Sequence, residues 1–234
     1  MGNPDKTKIH EIINSYLIPE MKDQLLQVIL YNDKDPHSED VLIITQSTDL
    51  SKLKQAQNCV SKLMKKNIPA PFFMTPEFIT SSLDSYPLEF LNIQTDYQNI
   101  WQKDDKDYLK NLHFDKQWVR LQVERELKGK YLLISTHYMA VNSSVSRLKQ
   151  LVSESILSLK PVLKGILFLF DEEISPCYED LISRIEGRLN IELRTLSRAF
   201  DIRFEKISFK QLNSEQFFEN YLKELEVLFK KIEQ

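Results

Sequence analysis

The chain has 234 residues, 42% hydrophobic and 28% charged, with a formal net charge of −3. This is the make-up of a soluble globular protein of one or two domains with a real core. It supplies no overall basic field for nucleic acid. Cys59 and Cys177 form no CxxC pair, and the absence of glycine between Gly2 and Gly129 excludes P-loop and Rossmann glycine patterns over that span.

Ile9, Ile12, Ile13 and Tyr16 recur on one helical face, which predicts a helix over 8–16. Two apolar runs follow, 27–31 and 41–45, and their polar connection suits neighbouring antiparallel strands. Residues 50–66 read as an amphipathic helix with Leu53, Ala56, Val60, Leu63 and Met64 facing inward and Asp49 or Ser51 as cap. Phe72-Phe73-Met74 reads as a short buried strand. Thr75 and Pro76 then supply the cap and first position of a helix over 77–82. The alternation Pro87-Leu88-Glu89-Phe90-Leu91-Asn92-Ile93 predicts a half-buried strand.

From about residue 105 long helical periods take over. Val119, Val123, Leu127, Tyr131, Ile134 and Tyr138 define one stripe on a helix over 115–140. Asn142-Ser143-Ser144 breaks it, and a second helix spans 145–170, with Pro161 expected to kink it. Further helices are expected over 178–189, 191–200 and, capped by Ser214, 215–232. The chain thus divides into an α/β sheet domain, 1–104, and a helical bundle, 105–234, an α+β two-domain architecture.

The N-terminus lacks the apolar core of a signal peptide. The greasiest stretch, 156–170, contains Lys160, Pro161 and Lys164 and falls short of the ~20 apolar residues of a membrane span. A cytoplasmic protein with two free or buried thiols, no membrane partner and no strong nucleic-acid signal is expected.

Strand, polar loop, acid, strand is how a nucleotidyltransferase begins its active site, and the run from Tyr31 through Asn32, Asp33, Ser38 and Asp40 has that outline. Such chemistry uses two divalent ions to neutralise a triphosphate. Hard oxygen ligands hold them, two acids one residue apart on a strand face and a third on a neighbouring strand. Asp40 stands at the first position, Leu42 at the second, and Glu89 matches the third. Asp40 and Glu89 are therefore the candidate metal ligands and catalytic acids, with at most a weakly held Mg²⁺. The loop has Asn32-Asp33 where close backbone approach to phosphate calls for glycine. On the following helix Arg120 and Glu124 share a face, with Arg125 nearby, and are candidate phosphate contacts. A solvated face with i,i+4 ion pairs of about 0.3–0.5 kcal/mol accounts for the same charges. His10, His37, His113 and His137 are dispersed without ligand spacing.

Asp40-Val41-Leu42-Ile43-Ile44, the Pro71–Glu77 run, Pro87-Leu88-Glu89-Phe90-Leu91 and Glu124-Arg125-Glu126-Leu127-Lys128-Gly129-Lys130 together resemble a bacterial family of nucleotidyltransferase-domain proteins. The resemblance implies a minimal nucleotidyltransferase-like domain followed by a C-terminal helical bundle, and no particular substrate. It also implies that the first bundle helix lines the cleft facing the sheet, which raises the standing of Arg120 and Arg125. Active members of the wider superfamily carry Gly-Ser in the loop and an acid at the place of Leu42. The Arg-x4-6-His motif of helical nucleotide-binding ribonucleases is missing. Three readings stay open: an eroded centre that binds a nucleotide, small molecule or partner; a working Mg²⁺-dependent nucleotidyltransferase using Asp40 and Glu89; and an assembly module that oligomerises through its helical half.

Overall fold

The computed structural model describes residues 6–31, 40–141 and 144–233. The loop residues Asn32, Asp33 and Ser38, and the break at Asn142-Ser143, lie outside the described residues. Contacts divide the chain into a sheet unit, Met1–Ser85 with Asn92–His113, and a helical unit, Tyr86–Leu91 with Phe114–Gln234.

In the sheet unit, α1 (Lys6–Ile12) runs through a π-helical turn, Ile13–Leu17, into α2 (Ile18–Met21). Ile9, Ile13, Leu17 and Met21, spaced by four, are buried, the stripe that an amphipathic helix needs. β1 (Leu25–Tyr31) pairs antiparallel with β2 (Asp40–Thr45), as the short connection predicts. α3 (Leu50–Leu53), a 3₁₀ turn (Lys54–Ala56) and α4 (Gln57–Met64) cross over to β3 (Phe72–Met74), which lies parallel to β2. α5 (Pro76–Ser81) starts as its sequence predicts: the Phe78 amide donates to Thr75 Oγ1 at 3.1 Å, and Pro76 occupies the first turn. β4 (Tyr97–Gln102) pairs antiparallel with β1, giving the order β3-β2-β1-β4. Val28, Leu30, Val41 and Ile43 pack one sheet face against Ile9, Ile13, Cys59 and Leu63. Burial raises the Cys59 thiol to about 11, which keeps it protonated and unreactive.

The largest correction concerns residues 87–93, which form no strand. Pro87–Thr95 is a helix, α6. Its apolar residues at 88, 90, 91 and 93 satisfy a two-residue alternation and also the helical pairs 88/91 and 90/93. Pro87 at the first helical position decides between them, because its missing N–H costs nothing there. The strand that does follow, β4, escapes notice because Gln98 and Asn99 leave a polar edge strand facing water. Two smaller corrections follow: β3 is a half-exposed edge strand with Phe72 open to solvent, and Met64 lies outside the α4 core face.

The helical unit holds α7 (Lys116–Ala140), α8 (Val145–Leu169), α9 (Tyr178–Leu189), α10 (Arg194–Arg203) and α11 (Ser214–Glu233). Asp115 caps α7, accepting from the Gln117 amide at 2.7 Å. Val119, Val123, Leu127 and Ile134 of its predicted stripe are buried. α8 continues past Pro161 to Leu169. Asn213 rather than Ser214 caps α11, its side-chain oxygen accepting from the Gln216 amide at 3.1 Å. The N-terminus of α10 is held by carboxylates of its neighbours: Glu186 accepts from the Leu193 amide at 2.7 Å, and Glu224 from the Thr195 and Leu196 amides at 2.8 Å each. No described helix is long and apolar enough to cross a membrane.

Candidate functional site

Strand register arranges the chemistry of the sheet unit. Alternate residues share a face, so Asp40, Leu42 and Ile44 of β2 point the same way. Their partners are Tyr31 beside Asp40 and Ile29 beside Leu42, and across β1 these meet Tyr97 and Asn99 of β4. One end of this face is polar, with the row Asp40, Tyr31, Tyr97. Asp40 is half-buried, and burial, with the Asp40 charge second, pushes the Tyr31 hydroxyl well above its ordinary range. One step along, Leu42 is 0% exposed, as is Ile29 beside it. The position that a second metal-binding acid would take is therefore filled by a covered aliphatic side chain.

A second polar group lies on the same face and was not legible as a site. Asp107 accepts from Tyr97 Oη at 2.7 Å and Asn99 Nδ2 at 3.2 Å with one oxygen. With the other it accepts from Gln27 Nε2 and the Leu109 amide, both at 3.0 Å. Gln27 in turn accepts from the Tyr108 amide at 3.0 Å. Burial alone would raise the Asp107 carboxyl, but these four donors outweigh it and hold the pKa low. The available signal was Gln27, a polar residue inside the apolar run Leu25–Tyr31: a buried amide requires partners.

Glu89 sits in the first turn of α6 and groups with the helical unit. Being helical, it does not occupy the strand position expected of a third acid. Gln122 of α7 organises its surroundings, donating to both Glu89 oxygens at 3.0 and 2.8 Å and accepting from the Leu88 amide at 2.9 Å. Nearby, Arg120 donates to Glu124 at 3.1 Å and to the backbone carbonyl of Ile232 near the end of α11. That contact satisfies a terminal helix carbonyl with a cation, so Arg120 and Glu124 have structural work. Arg125 keeps an outward guanidinium, 70% exposed, with Glu126 at 3.7 Å.

Among the described residues the sheet face offers a Mg²⁺ ion the Asp40 carboxylate and no acid at position 42. Among the described residues no group of three or more His, Cys, Asp or Glu side chains is placed to hold a metal ion. On the sheet face Leu42 offers no oxygen, and the Asp107 carboxylate is already engaged by four donors.

No family model matches the chain, and no curated protein matches it. Among solved structures it is similar to a spectinomycin adenyltransferase from Enterococcus faecialis, crystallised with ATP and spectinomycin. The TM-score is 0.55 at 8% identity, over 94% of this chain and 99% of that one. At that identity the likeness shows the fold: a nucleotidyltransferase-like sheet unit with a C-terminal helical set.

Proposed function

We propose that this chain is a nucleotidyltransferase-fold protein whose catalytic centre is eroded, and that it acts by binding a nucleotide, a small molecule or a partner. The observation that carries the reading is Leu42. It lies on the face and in the register where a second metal acid is needed, and it is fully covered. A leucine there removes a ligand and also seals the position against water and ions. Among the described candidates for the centre, Asp40 keeps a half-exposed carboxylate on the sheet, enough for at most a weak Mg²⁺ site. The chain is on this view a degenerate relative of the bacterial nucleotidyltransferase-domain proteins it resembles. The solved neighbour's ATP supports a nucleotide as the first ligand to try.

Calorimetric titration with each NTP, with and without Mg²⁺, paired with an α-labelled NTP transfer assay, tests this. Binding without transfer, insensitive to Mg²⁺, is the expected result. Mg²⁺-dependent transfer that disappears in Asp40→Asn while the fold is kept would refute it and establish the working-enzyme reading.

A further inference from the structure

The net charge of −3 is unevenly spread. Residues 50–76 hold five lysines, no arginine and no acid. They build α3, the 3₁₀ turn, α4 and β3. Cys59 and Leu63 pack with Val41 and Ile43 on one face of the sheet, whereas Asp40 and Leu42 point to the other. Asp107 joins the Asp40 side through Tyr97, Asn99 and Gln27. The sheet unit thus separates charge, with the candidate-site carboxylates on one side and a lysine-bearing helical layer on the other.

Helical spacing gathers the outer side of that layer into a row. Ala56, Cys59 and Leu63 are 0% exposed and fix the inner side. Lys54, Asn58, Ser61 and Lys65, spaced by four, three and four, fall opposite, and all four are exposed. Lys66 follows, also exposed. Lys62 flanks the row, 4.7 Å over the Tyr16 ring, and Lys52 pairs with Asp49 at 3.8 Å. Among the described residues Lys54, Lys65 and Lys66 have no carboxylate partner. From Lys54 to Lys65 is about 17 Å at 1.5 Å per residue, and a double helix carries about ten phosphates over that length.

We propose that the outer face of α3 and α4 binds the sugar–phosphate backbone of a double-stranded nucleic acid, without regard to sequence. Lysines supply the charge, and Asn58 and Ser61 between them are side chains of the kind that hydrogen-bond to phosphate and sugar. No arginine is present for the bidentate reading of a base edge. The row also holds no aromatic ring, the platform on which a single strand stacks. An anionic bilayer fits poorly. The exposed apolar side chains, Leu50 and Met64, stand apart at the two ends of the row, where an interfacial helix needs a continuous apolar face. An acidic protein fits poorly because protein interfaces are depleted in lysine and centre on apolar or aromatic anchors, which the row lacks. The inference is independent of the ligand proposed for the sheet site, since the row lies on the other side of the sheet.

The test is fluorescence anisotropy of labelled RNA and DNA duplexes of about 20 bp, and of the matching single strands, titrated with the full chain from about 50 to 200 mM salt. Each phosphate contact contributes about −0.9 to the slope of log K against log salt, so Lys54, Lys65 and Lys66 together should give about −2.7. Lys54→Gln/Lys65→Gln/Lys66→Gln, at exposed positions and with the fold checked by circular dichroism, should lose at least tenfold in affinity and flatten that slope. Lys110→Gln/Lys210→Gln/Lys231→Gln removes the same charge from other exposed positions and should keep the affinity. Binding of either duplex in this pattern supports the proposal, and the tighter of the two identifies the backbone as RNA or DNA. No duplex binding at the lowest salt, tighter binding of the single strands, or an equal loss in the control variant overturns it. Binding to phosphatidylserine vesicles or polyglutamate that is at least as tight as duplex binding, and is abolished by the row substitutions, would also overturn it.

Discussion

Gly165 of α8 tests where the start of α6 rests, and with it the placement of Glu89. A Cβ built there would lie 2.3 Å from Leu88 Cδ2 and 2.9 Å from Val123 Cγ2. Both are closer than carbon atoms tolerate. On an open helix face, Gly→Ala stabilises by about 0.4–1 kcal/mol. Here Val123 is locked by its β-branch on α7, and Leu88 is 2% exposed with its amide held by Gln122. Neither can retreat freely. Overpacking of this kind costs about 1–3 kcal/mol, so Gly165→Ala should destabilise by about 1–2 kcal/mol net. For a chain of this size that corresponds to a fall in Tm of about 2–4 °C per kcal/mol. Urea unfolding of Gly165→Ala, Leu88→Ala and the double variant closes a cycle. The cost of Gly165→Ala should shrink by at least about 1 kcal/mol once Leu88 is truncated, a coupling typical of residues in contact. If Gly165→Ala alone stabilises the protein, or if the two changes add, Leu88 does not pack on α8 and the helical placement of Pro87–Leu91 is wrong.

Two other substitutions probe the polar anchors. Asp107→Ala leaves the Tyr97 hydroxyl and the Leu109 amide without this acceptor and removes one of the two acceptors of Gln27 Nε2, the other being Asn99, and should cost about 1–3 kcal/mol. Asp107→Asn, which keeps one acceptor, should lose less by the same urea assay, and an equal loss would deny the carboxylate its bridging role. Glu224 supplies a pH signature. Burial, the largest cause, raises its carboxyl above the ordinary value despite the Thr195 and Leu196 donors. A raised folded pKa means that the folded state holds the proton more tightly, so this group's contribution grows as pH falls through the folded pKa toward the unfolded value of about 4.3. The stability advantage of the native chain over Glu224→Gln should therefore be larger at pH 5 than at pH 8; a larger advantage at pH 8 contradicts the assignment.

Much of the fold was legible where periodicity and punctuation agreed. Thr75-Pro76 marked the start of α5, the hairpin strands announced themselves as apolar runs, and the α7 stripe was visible because all six of its residues pack on one core, four of them fully buried. The misreadings share a physical origin. Leu88, Phe90, Leu91 and Ile93 fit both periods, and Pro87 at the first helical position decided for the helix, with Leu88 joining the core of Val119 and Val123. β4 carries its apolar signal in only Ile100 and Trp101 because its outer edge meets water. At the site, Asp40 and Leu42 were readable since a strand fixes which residues share a face. Asp107 was not: nothing local shows that a carboxylate in a polar segment will bond to Gln27, eighty residues earlier. Arg120 was visible as a cation, but its tie to the Ile232 carbonyl depends on a helix that begins nearly a hundred residues later.

The two amides at the head of α10 that end on Glu224 set an order of events during synthesis. Until the ribosome has released α11, α10 has bare donors at its start, and Arg120 has no carbonyl to grip. The helical half lacks these ties until its last helix is present. A transcript cut short before codon 224 should yield a chain whose remaining helices stay open to proteases, however complete the sheet ahead of them.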